Sequence, residues 1–224
     1  MKNSITLLCL VISTFGYSQD KVADSTKTKK VKGTMYIGFA GNGNDASNLN
    51  RKLKQSNLPE LSSFVPEFTV GINIMGEKYS GDIEVGFLSQ TPEKGENELQ
   101  YRGINTRLRF HYNLVNEKKV ALTTGLSLAY LGSTYDIYSK NNTIDLNNLE
   151  PNDNNGHVNF NNQMLYFGPS ISFYAFRDKW FALRFNAGYE FGLTRGRYRS
   201  DFGSILNNTN ESGSNRFVFG LTLL

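Results

Sequence analysis

Residues 180–193 read Trp-Phe-Ala-Leu-Arg-Phe-Asn-Ala-Gly-Tyr-Glu-Phe-Gly-Leu. Phe181, Leu183, Phe185, Ala187, Tyr189, Phe191 and Leu193 fall on one side. Trp180, Ala182, Arg184, Asn186, Gly188, Glu190 and Gly192 fall on the other. Period-two alternation marks a β-strand, because successive side chains point to opposite faces of the pleat. Here one face is apolar and aromatic, and the other is small, polar or charged.

The same alternation recurs in both directions along the chain. It is seen in 34–40, 64–74, 79–89, 103–114, 120–131 and 163–176, and in the closing run through Phe217, Phe219, Leu221 and Leu223. Eight strands are predicted, with no helical periodicity from residue 33 onward. The connections between them alternate in length. Long or medium loops (41–62, 90–100, 132–162, 195–214) take turns with tight ones at Gly76-Glu77-Lys78, Asn116-Glu117-Lys118 and Arg177-Asp178-Lys179. Short turns kept to one end are the pattern of an up-and-down barrel whose two ends face different compartments.

Two features say which face points outward. The polar face is built of Gly, Ala, Ser, Thr and Asn with a few arginines and acids, and lysines are confined to the tail, turns and loops. A water-facing wall carries lysine freely, whereas the narrow interior of an eight-stranded barrel is filled by side chains that fit. The opposite face holds Phe, Leu, Ile and Val over segments of about 10 residues, enough to cross a bilayer when tilted. Tyr79, Tyr112 and Tyr130 lie near strand ends on that face, where an aromatic girdle belongs. Lipid offers no hydrogen bonds to the backbone, so strands cross it only as a closed cylinder. The expected fold is therefore all-β, an eight-stranded antiparallel up-and-down transmembrane β-barrel. A soluble barrel with its apolar face inward is the competing arrangement.

Composition narrows the function classes. The chain has 224 residues, 20% charged and 13% aromatic, with a net charge of +4, one Cys and two His. A disulfide scaffold and a cysteine zinc finger are excluded, and two histidines leave little for a His-rich metal site. The mild, dispersed charge gives no nucleic-acid footprint. Lys2, the apolar run Ile5–Ile12 and the small residues Gly16 and Ser18 have the layout of a secretory signal peptide. Residues 1–18 are read as that signal, 19–32 as a lysine-rich flexible periplasmic tail, and 33–224 as the barrel domain.

On these residues the chain resembles the small outer-membrane β-barrel family, the eight-stranded OmpA-like and OmpX-like group, over 33–224. The resemblance implies a Gram-negative outer membrane, periplasmic termini and short turns, and long surface loops. It also implies insertion by the barrel-assembly machinery, guided by a last strand ending in an aromatic residue. This chain departs from that signal, closing Leu221-Thr222-Leu223-Leu224.

The candidate functional residues are a lumen charge cluster of Glu67, Asp82, Glu84, Arg107, Arg109, His111, Arg184, Glu190 and Arg216. Glu84 and Arg109 are expected at similar heights as a cross-strand pair. A buried charge persists only when paired and hydrogen-bonded, so the cluster is read as a structural plug, with an ion path or gate as its functional counterpart. No catalytic residue, cofactor or metal is assigned. Asp153-Asn154-Asn155-Gly156 lacks the ligands of a calcium loop, and Gly41-Asn42-Gly43-Asn44 has no following helix to receive a phosphate. The sequence-level function is a non-enzymatic outer-membrane barrel with an envelope-structural or surface-binding role. Its partners are outer-membrane lipid, the assembly machinery and an unidentified surface ligand at the loops, with no nucleic acid. The alternatives are a narrow porin for small solutes, or a barrel enzyme acting on envelope lipid or peptide through His157 with Asp153 or Ser139.

Overall fold

The structure, a computed structural model, describes residues 31–43, 47–140, 157–201, 203–206 and 208–224. The expected signal peptide and nearly all of the tail lie outside the described residues. So do Glu150 and Asp153.

The strands are β1 (Lys32–Gly43), β2 (Phe64–Met75), β3 (Tyr79–Gln90), the two-residue β4 (Glu93–Lys94), β5 (Asn97–Asn116), β6 (Ala121–Ser139), β7 (His157–Ala175), β8 (Leu183–Gly192) and β9 (Asn215–Leu223). Setting β4 aside, each strand pairs antiparallel with the next, β3 with β5, and β9 returns to pair with β1. The result is a closed ring of eight strands. Closure leaves no row of unpaired backbone groups along an edge. β4 is an appendage on the loop end of β5.

Inside and outside fall as the alternation predicts. Phe39 (71% exposed), Phe110 (67%), Phe185 and Phe219 stand on the outer wall, whereas Arg107, Arg184 and Glu84 are buried. On β5 the outward apolar positions run from Leu114 to Ile104. Ten residues rising about 3.3 Å each, tilted by about 40°, give a band about 25 Å tall, the height of the apolar belt of a transmembrane barrel. Tyr79, at the short-turn end of this band, meets Tyr112 edge-on and stacks on Phe110 further in.

Above the band the chemistry inverts. β5, β6 and β7 continue past their expected ends, so 97–102, 132–139 and 157–162 are strand, not loop. In these extensions the large buried inward residues are apolar, Leu99, Tyr101, Tyr135 and Ile137, with the polar Ser133 and Asn162 buried beside them. The outward residues are polar, among them Arg102, Thr134 and Gln163. The switch comes just past Ile104 on β5, past Tyr130 on β6 and past Leu165 on β7. One continuous wall is thus built for hydrocarbon below and for water above.

Two further expectations are corrected. The 41–62 connection, expected to hold no helix, contains α1 (Ser47–Gln55). Leu49 and Leu53, four apart and so on one helix face, are buried against Leu61, Val65, Leu88, Leu99 and Tyr135. Those two apolar residues in a polar run gave too little period to read from sequence; the hollow they fill makes the helix. The other correction concerns β8, which begins at Leu183. Trp180 and Phe181 belong to the connection, and Trp180, expected to face inward, is 91% exposed. There the chain turns at Phe176 (φ 58°), with the Lys179 amide donating to the Phe176 carbonyl at 3.0 Å.

The short turns are tied to one another. Arg177 donates to the Asn116 side chain at 2.8 Å and to the carbonyl of Glu117 at 2.5 Å. Asn116 in turn donates to the Gly76 and Glu77 carbonyls at 2.9 Å. These side-chain donors satisfy turn carbonyls that have no partner in the sheet.

Candidate functional site

The lumen has three levels. Nearest the short turns is a neutral polar level. His111, carried inward by β5, shares hydrogen bonds with Thr123 (Nδ1, 2.7 Å) and Ser170 (Nε2, 2.7 Å). Asn73 donates to the Tyr174 hydroxyl at 3.0 Å. At the loop end sits the apolar cluster around Leu99, Tyr101, Tyr135 and Tyr198, closed by α1. Between the two lies the charge network.

Register builds that network. Along the β3–β5 pair Asp82 stands opposite Arg109 and Glu84 opposite Arg107. On the far wall Glu190 stands opposite Arg216. The expected Glu84–Arg109 contact exists at 2.9 Å, as a diagonal contact beside the direct cross-strand partners. Arg107 is the hub. Its Nε donates to Glu190 at 2.9 Å, its Nη1 to Glu84, and its Nη2 lies 3.5 Å from Glu67. Arg109 and Arg184 both hold Asp82, at 2.8 and 2.6 Å. Glu67 is further bound by the amides of Asn42 (2.5 Å) and Asn105 (2.8 Å).

Four guanidinium groups thus face four carboxylates, and the site is neutral when all are ionised. Two guanidinium nitrogens, Arg184 Nη2 and Arg216 Nη1, have no hydrogen-bond acceptor. Their planes lie over aromatic rings instead, Arg184 4.2 Å from the centre of Tyr36 and Arg216 4.0 Å from that of Tyr166. The negative ring face is a fitting neighbour for a desolvated cation. Lumen glycines make the room: a Cβ on Gly86 would come within 1.7 Å of the Glu67 carboxylate. A void of about 10 Å³ remains beside Arg107, Ser127, Ser170 and Glu190. That is about the space of a single water.

All nine residues singled out in the sequence are buried in this interior, eight in the network and His111 in the level below it. Sequence reasoning missed the neutral partners Asn42, Asn105, Tyr36 and Tyr166 and the apolar level with its helix. Asn42, part of the Gly41-Asn42-Gly43-Asn44 run, is the last buried residue of the β1 alternation and faces the lumen. His157, the residue of the enzymatic alternative, stands opposite Tyr138 in register and meets Asp136 at 3.2 Å. Among the described residues no group of three or more His, Cys, Asp or Glu is placed to hold a metal.

A closed antiparallel ring with an apolar outer belt and a packed, charge-balanced interior defines a transmembrane up-and-down β-barrel. Among solved structures, the chain is similar to the attachment invasion locus protein Ail of Yersinia pestis. That likeness has a TM-score of 0.49 and 10% identity, covering 85% of this chain and 95% of that one. It is also similar to the N-terminal β-barrel domain of Pseudomonas aeruginosa OprF, with a TM-score of 0.37 and 11% identity over 86% and 99% of the two chains. No family model matches the sequence, and no curated protein matches it.

Proposed function

We propose that this protein is a non-enzymatic integral barrel of a bacterial outer membrane. In this reading its plugged lumen makes it a structural element of the envelope, and its loop end is a surface for binding. The observation that carries the reading is the inversion along β5, β6 and β7. Apolar side chains point out where hydrocarbon surrounds the wall, and inward where water does. A soluble barrel would keep its apolar side inward throughout. Surrounding lipid is the first partner this surface calls for, and the barrel-assembly machinery is the route by which such a wall reaches the membrane. The short-turn end, with the start of β1 and the end of β9, then faces the periplasm.

The lumen supports a plug over a passage. Eight strands leave no aqueous channel once side chains fill the interior, and here cross-lumen ion pairs and the α1 cap close both the middle and the loop end. At that end a hollow of about 830 Å³ opens beside Leu49, Lys52, Phe160 and Ile205, which supports a binding role there. Planar-bilayer recording tests the plug: the protein inserts without a large, stable conductance. Steady porin-like steps would overturn it.

A further inference from the structure

We propose that Arg195, Arg197 and Arg199 form a built contact for the phosphate groups of anionic lipids in the leaflet around the loop end of the barrel. The inference rests on the membrane reading above and goes further by naming the residues and the headgroup chemistry they take.

After β8 ends at Gly192 the chain does not leave the wall. Arg199 and Asn161 of β7 exchange backbone hydrogen bonds of 2.7 and 2.9 Å, and Arg197 is bridged to Asn210 on the other side. The stretch therefore continues β8 irregularly between its two neighbours. Opposed residues of an antiparallel pair share a face. Asn161 has the parity of Leu165 and Phe167, so Arg199 lies on the outer face of the wall. Burial agrees: all three arginines are exposed, while Gly196 and Tyr198 between them are buried. Tyr198 is held edge-on against Tyr135 and Phe160 and donates to Glu211 at 2.9 Å. Burial beside Tyr135 and Glu211 pushes its hydroxyl far above the usual tyrosine range, so it stays a donor. Glu211 in turn accepts the Leu49 amide of α1 at 2.9 Å. The arginine row is thus pinned from within.

Its height is set by the band below it. Phe191 and Leu193 are exposed and apolar, and the arginines follow directly. Asn161 lies four residues past Leu165, about 10 Å further along the barrel axis. The row therefore climbs through the headgroup layer, which is about 5–8 Å deep on each side of the hydrocarbon, and a long guanidinium stem spans what remains. Among the described residues no carboxylate pairs with any of the three. Asp201, exposed at the end of the row, is the one acid close by in sequence, and Glu211 is committed to Tyr198 and α1. With no carboxylate partner among the described residues, these cations attract phosphate oxygens by charge.

The experiment is native mass spectrometry of the full barrel in neutral detergent, titrated with dioleoylphosphatidylglycerol, dioleoylphosphatidylcholine or inorganic phosphate. The protein retains phosphatidylglycerol in preference to phosphatidylcholine, and inorganic phosphate does not compete at equal concentration. Each basic residue near an anionic surface contributes about fivefold, so Arg195→Gln/Arg197→Gln/Arg199→Gln weakens that retention on the order of 100-fold. The Arg→Lys triple variant keeps most of it. A control with Lys118→Gln/Lys119→Gln/Lys179→Gln at the short-turn end leaves the strongest site intact. The proposal is overturned if the glutamine triple variant, still heat-modifiable on gels, binds phosphatidylglycerol as before. It is equally overturned if the control variant carries the loss, or if free phosphate displaces the lipid. A wild-type protein that dissolves without detergent and shows no heat-dependent mobility shift would instead overturn the membrane reading beneath it.

Discussion

Replacing Arg107 by Met removes the hub of the lumen while keeping most of the side-chain volume. Arg107 is 1% exposed and touches Glu190, Glu84 and Glu67, with Asn42 at 3.4 Å. The variant leaves three cations against four carboxylates in a space with room for about one water. Breaking a buried pair by deleting one partner costs about 3–5 kcal/mol, because the surviving charge keeps its desolvation penalty. With a urea slope of about 2 kcal/mol/M, a loss of about 4 kcal/mol lowers the unfolding midpoint by about 2 M. The assay is reversible urea unfolding of detergent-refolded protein, followed by gel mobility and tryptophan fluorescence. Arg107→Met/Glu84→Gln restores the balance, so its loss falls short of the summed single losses by about 0.5–3 kcal/mol. A shift below half a molar in Arg107→Met would refute the reasoning, since it would mean that water already reaches these charges and the lumen is a wet passage.

Gly86→Ala puts a methyl into the Glu67 carboxylate, which Asn42, Asn105 and Arg107 hold in place. A destabilisation of about 1–3 kcal/mol is expected from the same urea assay. Leu53→Ala loosens α1, whose nine residues rely on packing for their order. A loss of about 2 kcal/mol, local to the cap, raises trypsin cleavage at Arg51, Lys52 and Lys54 about 30-fold. The heat-dependent gel shift stays unchanged, and a constant cleavage rate would show that Leu53 does not hold the cap.

The membrane-level half of the fold was legible because bilayer and lumen impose opposite chemistry on adjacent residues. Phe185, Ala187 and Phe191 against Arg184, Asn186 and Glu190 can be sorted by parity alone. The extensions of β5–β7 were not legible, since there the apolar residues change sides. Leu99 and Tyr101 share the parity of Arg107, so a rule seeking apolar residues outward stops at Ile104. Helix α1 escaped because two leucines in nine residues specify a helix only once there is a hollow to fill. In the lumen, the charges drew notice as costly to bury. Their neutral partners did not: Asn42 and Asn105 look like ordinary polar strand residues until the ring closes and brings Glu67 between them. Trp180 misled by extending the alternation past a turn that Phe176 had already made.

The fold and the proposed function both depend on which side of the wall meets hydrocarbon. Phe110→Trp in a Trp180→Phe background carries the sole tryptophan of the variant at a position 67% exposed, midway along the band. Reconstituted in bilayers whose acyl chains carry bromine, its fluorescence is expected to be strongly quenched and insensitive to aqueous iodide. Quenching by iodide with none from the brominated chains would put Phe110 in water and contradict the account.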